Sequence, residues 1–107
     1  MRAVAVHPSP AVTGELLGLL KSDDPLLVST AAVSLGTPGN EQAVAPLSKL
    51  LGSDEERVRM AAIRGLGRIA TPGAQEKLKQ AAASHGDLAT RRRAGAEARI
   101  LAGSARP

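Results

Sequence analysis

The fold is decided by residues 47–69, which read LSKLLGSDEERVRMAAIRGLGRI. Leu47, Leu50 and Leu51, with Ala43 upstream, recur at steps of four, three and one, the spacing of a single helix face. The turn Ser53-Asp54-Glu55 follows. Beyond it Val58, Ala62, Leu66 and Ile69 recur at steps of four, four and three, a second helix face. Ser53 with Glu56 three residues later has the form of a capping box, so the second helix is expected from about residue 54. One short segment thus encodes helix, turn, helix.

Working outward, the same text returns. Leu16, Leu47 and Leu78 are spaced by 31 and 31. Leu19-Leu20 returns as Leu50-Leu51, Ser22-Asp23-Asp24 as Ser53-Asp54-Glu55, and Leu35-Gly36 as Leu66-Gly67. Val28 to Val33 matches Val58 to Ile63 at a spacing of 30, so a one-residue slip is expected inside the second helix. The third unit is the most degenerate; its Thr90-Arg91 and Ala94 match Val58-Arg59 and Ala62 at 32. Units 16–46, 47–77 and 78–107 follow, within one domain over 10–107 preceded by an extended tail over 1–9, where His7-Pro8-Ser9-Pro10 cannot continue a helix. Six helices are expected, at about 11–20, 25–36, 41–51, 54–69, 73–83 and 88–102. Asp24-Pro25 and Thr71-Pro72 read as N-caps with first-turn prolines, and Gly86-Asp87 as a break and a fresh N-cap. No stretch alternates as a strand does.

Composition agrees with an all-α chain. The 107 residues contain no Phe, Trp, Tyr or Cys, and 20 are Ala and 14 Leu. Ala and Leu suit helices in close contact. The cysteine count excludes disulfide scaffolds and thiolate metal sites. Lacking aromatic rings, the chain has no platform for stacking single-stranded bases. The opening MRAVAVHPSP has an apolar run too short for a secretory leader, and no segment has the length to span a bilayer. A soluble, cytoplasmic protein is expected.

The stretch quoted at the outset resembles a HEAT repeat, and more narrowly the short, roughly 30-residue type of bilin-lyase-like proteins, against about 40–47 for the ordinary repeat. The pattern Leu47, Leu50-Leu51, Asp54, Val58-Arg59, Ala62, Leu66-Gly67 and Ile69 carries the resemblance. It implies an α-solenoid of about three repeats whose second helices line a concave face, most often a protein-binding scaffold. It also implies an inter-repeat ladder between the turn Asp and the Arg of the Val-Arg pair. By position those are Asp54 and Arg59, with Asp23 and Arg91 as counterparts; unit one departs, with Ser29 where Arg is expected. Ankyrin repeats are the rival: Thr37-Pro38-Gly39 and Thr71-Pro72-Gly73 lie 34 apart, but the Leu-His that should follow is absent.

The charge is divided. Residues 1–56 hold three basic and seven acidic residues, net −4; residues 57–107 hold eleven and three, net +8. Arg57, Arg64 and Arg68, at spacings of seven and four, form a basic stripe on the fourth helix. Arg91-Arg92-Arg93 fan over roughly 200°, so they cannot all be buried. Arg57, Arg64, Arg68, Arg92 and Arg93 are the candidate partner contacts. Each has a plainer alternative as a solvated helix face. Arg59 is assigned to structure, pairing with Glu55 or with an inter-repeat Asp.

Chemistry is otherwise scarce. His7 and His85 are the only histidines, no metal-ligand spacing occurs, and no nucleophile motif or phosphate loop is present. Gly65-Leu66-Gly67 reads as close helix packing, and Asp23-Asp24 and Glu55-Glu56 as acids at helix N-termini. No catalytic, cofactor or metal site is expected. The expectation is a non-catalytic scaffold docking an acidic or helical segment of another protein on its concave face. The alternatives are nucleic-acid binding through the basic half and, less favoured, a bilin-lyase-like activity. The first helix, with Val12, Leu16, Leu17, Leu19 and Leu20, is apolar over a wide arc and a candidate surface for self-association.

Overall fold

The three turns that join the helices within each pair share one local chemistry. In the computed structural model, which describes the backbone of residues 10–104 and the side chains of 12–101, Ser22 Oγ accepts from Asp24 N at 3.0 Å and Ser53 Oγ accepts from Glu55 N at 3.1 Å. In the third turn His85 takes the serine's place, its Nδ1 accepting from Asp87 N at 2.9 Å. Each turn therefore has a side-chain acceptor that folds back on the backbone two residues on. The capping box expected at Ser53 and Glu56 does not form: the Ser53 hydroxyl is held by the nearer Glu55 amide, Glu55 becomes the N-cap without a side-chain bond, and the helix begins at Glu56.

The helices are α1 (Pro10–Leu19), α2 (Pro25–Leu35), α3 (Val44–Leu50, entered through a 3-10 turn over Glu41–Ala43), α4 (Glu56–Ile69), α5 (Pro72–Ser84) and α6 (Leu88–Ser104). The described residues contain no strand. Asp24 caps α2 by accepting from Leu26 N at 3.0 Å, Thr71 caps α5 by accepting from Ala74 N at 3.2 Å, and Asp87 opens α6 by accepting from Thr90 N at 2.8 Å. Each satisfies one orphan amide of a first helical turn. The tail expected over 1–9 lies outside the described residues.

Helices α2, α4 and α6 lie side by side in one layer, while α3 and α5 pack behind α4, α1 behind α2, and α5 behind α6. The described residues span 43 × 42 × 17 Å, a slab two helices thick. Leu35, Leu47, Ile63, Leu66, Ile69 and Leu78 are fully buried and belong to one core that runs through all three helix pairs. Each such side chain contributes about 1.5–3 kcal/mol on burial. Ala32, Ala43, Ala62, Ala74 and Ala94 are equally buried and keep the helices close.

The closest approach is between α2 and α4. A Cβ placed on Gly36 would lie 2.7 Å from the Gly65 Cα, and one on Gly65 would lie 2.7 Å from the Ala32 carbonyl oxygen. The two backbones touch there, which accounts for a glycine inside an otherwise regular helix. Gly67 differs: its missing Cβ would meet only the Glu97 side chain. The two Thr-Pro-Gly sites both follow a second helix, and their 34-residue spacing exceeds 31 because α4 runs three residues past Leu66 whereas α2 stops at the equivalent Leu35.

Candidate functional site

Below the Gly36–Gly65 contact, α2 and α4 leave an open groove of about 760 Å³ on the α2–α4–α6 layer. Val33, Met60 and Ala61 supply its apolar floor; Ser29, Thr30 and Ser34 line the α2 bank, and Arg57 and Arg64 the α4 bank. Arg93 reaches the same groove from α6, and Glu56 lies at its α4 end. Among the described residues, Arg57 and Arg64 make no ion pair or side-chain hydrogen bond, and both are exposed. Arg93 Nε is 3.9 Å from Glu97 Oε2, a loose i,i+4 pair at half-exposed positions. Three guanidiniums thus border one apolar strip, with Glu97 loosely paired to Arg93 and Glu56 at the start of α4 as the one carboxylate in the lining.

The other candidate arginines go elsewhere. Arg68 donates from Nε to the Gly36 carbonyl at 2.9 Å, so its side chain fastens the end of α4 to the end of α2. Arg92 lines a neighbouring hollow between α4 and α6 with Met60, Leu88, Ala89, Arg93 and Ala96. The stripe of the sequence therefore divides: Arg57 and Arg64 meet Arg93 in the groove, Arg92 sits beside it, and Arg68 belongs to the seam.

Arg59 lies away from the groove and is 13% exposed. Its Nη1 donates to the Ser53 carbonyl at 2.7 Å, and its Nε to Thr90 Oγ1 at 3.0 Å. Nη2 stands 3.8 Å from Asp87 Oδ2. The acid facing Arg59 is accordingly Asp87, the N-cap of the next unit's second helix, and neither Glu55 nor Asp54. The carboxylates of Asp54 and Asp23 are exposed and make no bond among the described residues. Arg91 repeats the first half of the arrangement, donating from Nη1 to the His85 carbonyl at 2.6 Å.

Two members of this cluster were not singled out from the sequence. Thr90 is fully buried, and its hydroxyl donates to Asp87 Oδ2 at 2.8 Å while accepting from Arg59. A polar residue where units one and two have Val28 and Val58 was the available signal. His85 is the other. Since its Nδ1 accepts from Asp87, the proton is on Nε2, which donates to the Leu51 carbonyl at the end of α3. The Thr90 hydroxyl and then the Thr90 amide, helped by Arg59 and His85 and opposed by desolvation, hold the Asp87 carboxyl below its ordinary value of 3.8.

No cluster of His, Asp or Glu among the described residues is arranged to hold a metal ion, and no helix there is long and apolar enough to cross a membrane. A family model for HEAT repeats matches residues 13–99. This chain belongs to the HEAT-repeat family. HEAT repeats commonly mediate protein–protein interaction and are generally non-catalytic scaffolds. The match is to HEAT repeats as such; a bilin-lyase-like character rests on the resemblance of residues 47–69 alone. No curated protein matches the chain.

Proposed function

We propose that this HEAT-repeat chain is a non-catalytic interaction module that docks an acidic segment of another protein in the α2–α4 groove. One observation carries the reading: Arg57, Arg64 and Arg93 border a single apolar strip and spend almost none of their charge internally. Guanidiniums so placed recognise carboxylates by charge-assisted hydrogen bonds, and the strip beneath them supplies contact area. Arg92 extends the basic surface toward α6. Binding governed by exposed charge weakens with salt. In capture experiments, Arg57→Glu with Arg64→Glu is expected to cut partner recovery by roughly tenfold, since each exposed pair is worth up to about 1 kcal/mol and reversal adds repulsion. Unchanged recovery removes this surface from consideration.

Nucleic acid is the second reading, favoured by the exposed Arg92, Arg93 and Arg99 on α6. A titration of duplex DNA against salt separates the two. Phosphate binding gives a steep fall of log K with log salt, and its absence leaves the protein partner. A cytoplasmic location and self-association through α1, where Leu19 is exposed and Leu16, Leu17 and Leu20 are half-buried, belong to the same proposal. Light scattering across a concentration series tests the latter: a constant monomer mass rules it out.

A further inference from the structure

We infer that the occupant of the groove is an amphipathic helix carrying carboxylates seven residues apart with an apolar residue midway. This rests on the docking role proposed above and names its partner's chemistry. Arg57, Met60 and Arg64 stand at i, i+3 and i+7 on α4 and all line the groove. That spacing puts the two arginines two turns apart, roughly 10 Å along the axis. A helix lying alongside repeats the same rise, so carboxylates at its own i and i+7 fall opposite both guanidiniums together. The residue at i+3 or i+4 then falls on Met60, Val33 and Ala61, where the unbranched methionine adapts to the shape it meets. Arg93 reaches the same groove from α6, beyond α4, and adds a third guanidinium on that side.

The banks argue for a helix over an extended peptide. The groove is bordered by α2, α4 and α6, helices whose mid-helix amides and carbonyls bond within the helix and present no strand edge. A strand laid there finds no backbone edge to pair with, while a helix brings its own backbone already bonded. Glu56 argues for discrete carboxylates over a continuous phosphate chain, because it places a negative charge in the same lining beside Arg57.

The test uses synthetic peptides and the full chain, with affinity read by fluorescence anisotropy at low and high salt. The first peptide is a helix former with Glu at i and i+7 and Leu at i+3 and i+4. The second has the same composition scrambled around the helix, and the third has proline inserted between the two Glu residues. The register peptide is expected to bind about tenfold more tightly than either control and to lose roughly tenfold to Arg57→Glu/Arg64→Glu. A peptide with Lys in place of both Glu residues should bind that variant more tightly than it binds the native chain. Arg57 and Arg64 make no internal bond among the described residues, so the variant should melt as the parent does. Equal binding of all three acidic peptides, with loss in the variant, overturns the helical register and leaves the docking role standing. Binding that ignores the variant overturns both. Tighter binding of duplex DNA than of any peptide overturns the acidic partner.

Discussion

Ala70 ends α4 at φ 58° and ψ 21°, a left-handed conformation that costs a residue with a Cβ about 1–2 kcal/mol. Its side chain is exposed and its amide still bonds the Leu66 carbonyl at 3.2 Å. Ala70→Gly is therefore expected to stabilise the protein by about 0.5–1 kcal/mol, the entropy of a freer unfolded chain offsetting part of the gain, and urea denaturation measures it. The glycines of α4 give the opposite result at one site only. Gly65→Ala drives a methyl into the Ala32 carbonyl and should cost about 1–3 kcal/mol despite alanine's better helix propensity. Gly67→Ala meets only the Glu97 side chain, which can swing away, so it should cost much less. Asp87 contributes to the acid limb. Its folded-state value is depressed, so its contribution is complete above the unfolded value of 3.8 and is lost as pH falls through the lower folded one. Asp87→Asn should flatten the loss of melting temperature below about pH 4 relative to the parent.

Between elements, the joint of units two and three depends on Arg59, whose three nitrogens address Ser53, Thr90 and Asp87. Among the described residues, the Arg91 side chain makes only the contact within its own turn. Truncating Arg59 to Ala also removes the donor to the buried Thr90 hydroxyl and leaves that oxygen an unmet acceptor, so it should cost about 2–3 kcal/mol against about 1 for Arg91→Ala. A double-mutant cycle of Arg59→Ala with Thr90→Val should show coupling of at least about 0.5 kcal/mol. Between units one and two that joint is replaced by different devices, since Ser29 stands where the arginine would be and, among the described residues, its hydroxyl bonds only the Leu26 carbonyl. There the Gly36–Gly65 contact and the Arg68 bond to Gly36 hold α2 to α4.

For the molecule as a whole, helix count and pairing were legible because each helix buries its own periodic face: Leu47 and Leu50-Leu51 for one, Val58, Ala62, Leu66 and Ile69 for the other. The caps Asp24, Thr71 and Asp87 were legible because capping acts over three residues. What the sequence hid was long-range. Arg68 shares a stripe with Arg57 and Arg64, yet the Gly36 carbonyl, 32 residues away, takes it out of the groove. Of the two pairings expected for Arg59, with Glu55 or with an inter-repeat Asp, the second is the one found, but the stacked units make that acid Asp87 and not Asp54. His85 lies in a loop as its sequence suggests, but its place there, in the position of the turn serine, follows from the bond that Asp87 N makes to it. The basic half of the chain resolves into a groove, a seam and a joint, and the groove is the part with charge left over. Mapping backbone amide shifts of the isotope-labelled protein as the acidic helical peptide is added tests that assignment most directly. Shifts confined to Ser29–Ser34, Glu56–Arg64 and the neighbourhood of Arg93 are the expected result. Shifts on α1, α3 and α5 instead, or none at saturating peptide, would contradict it.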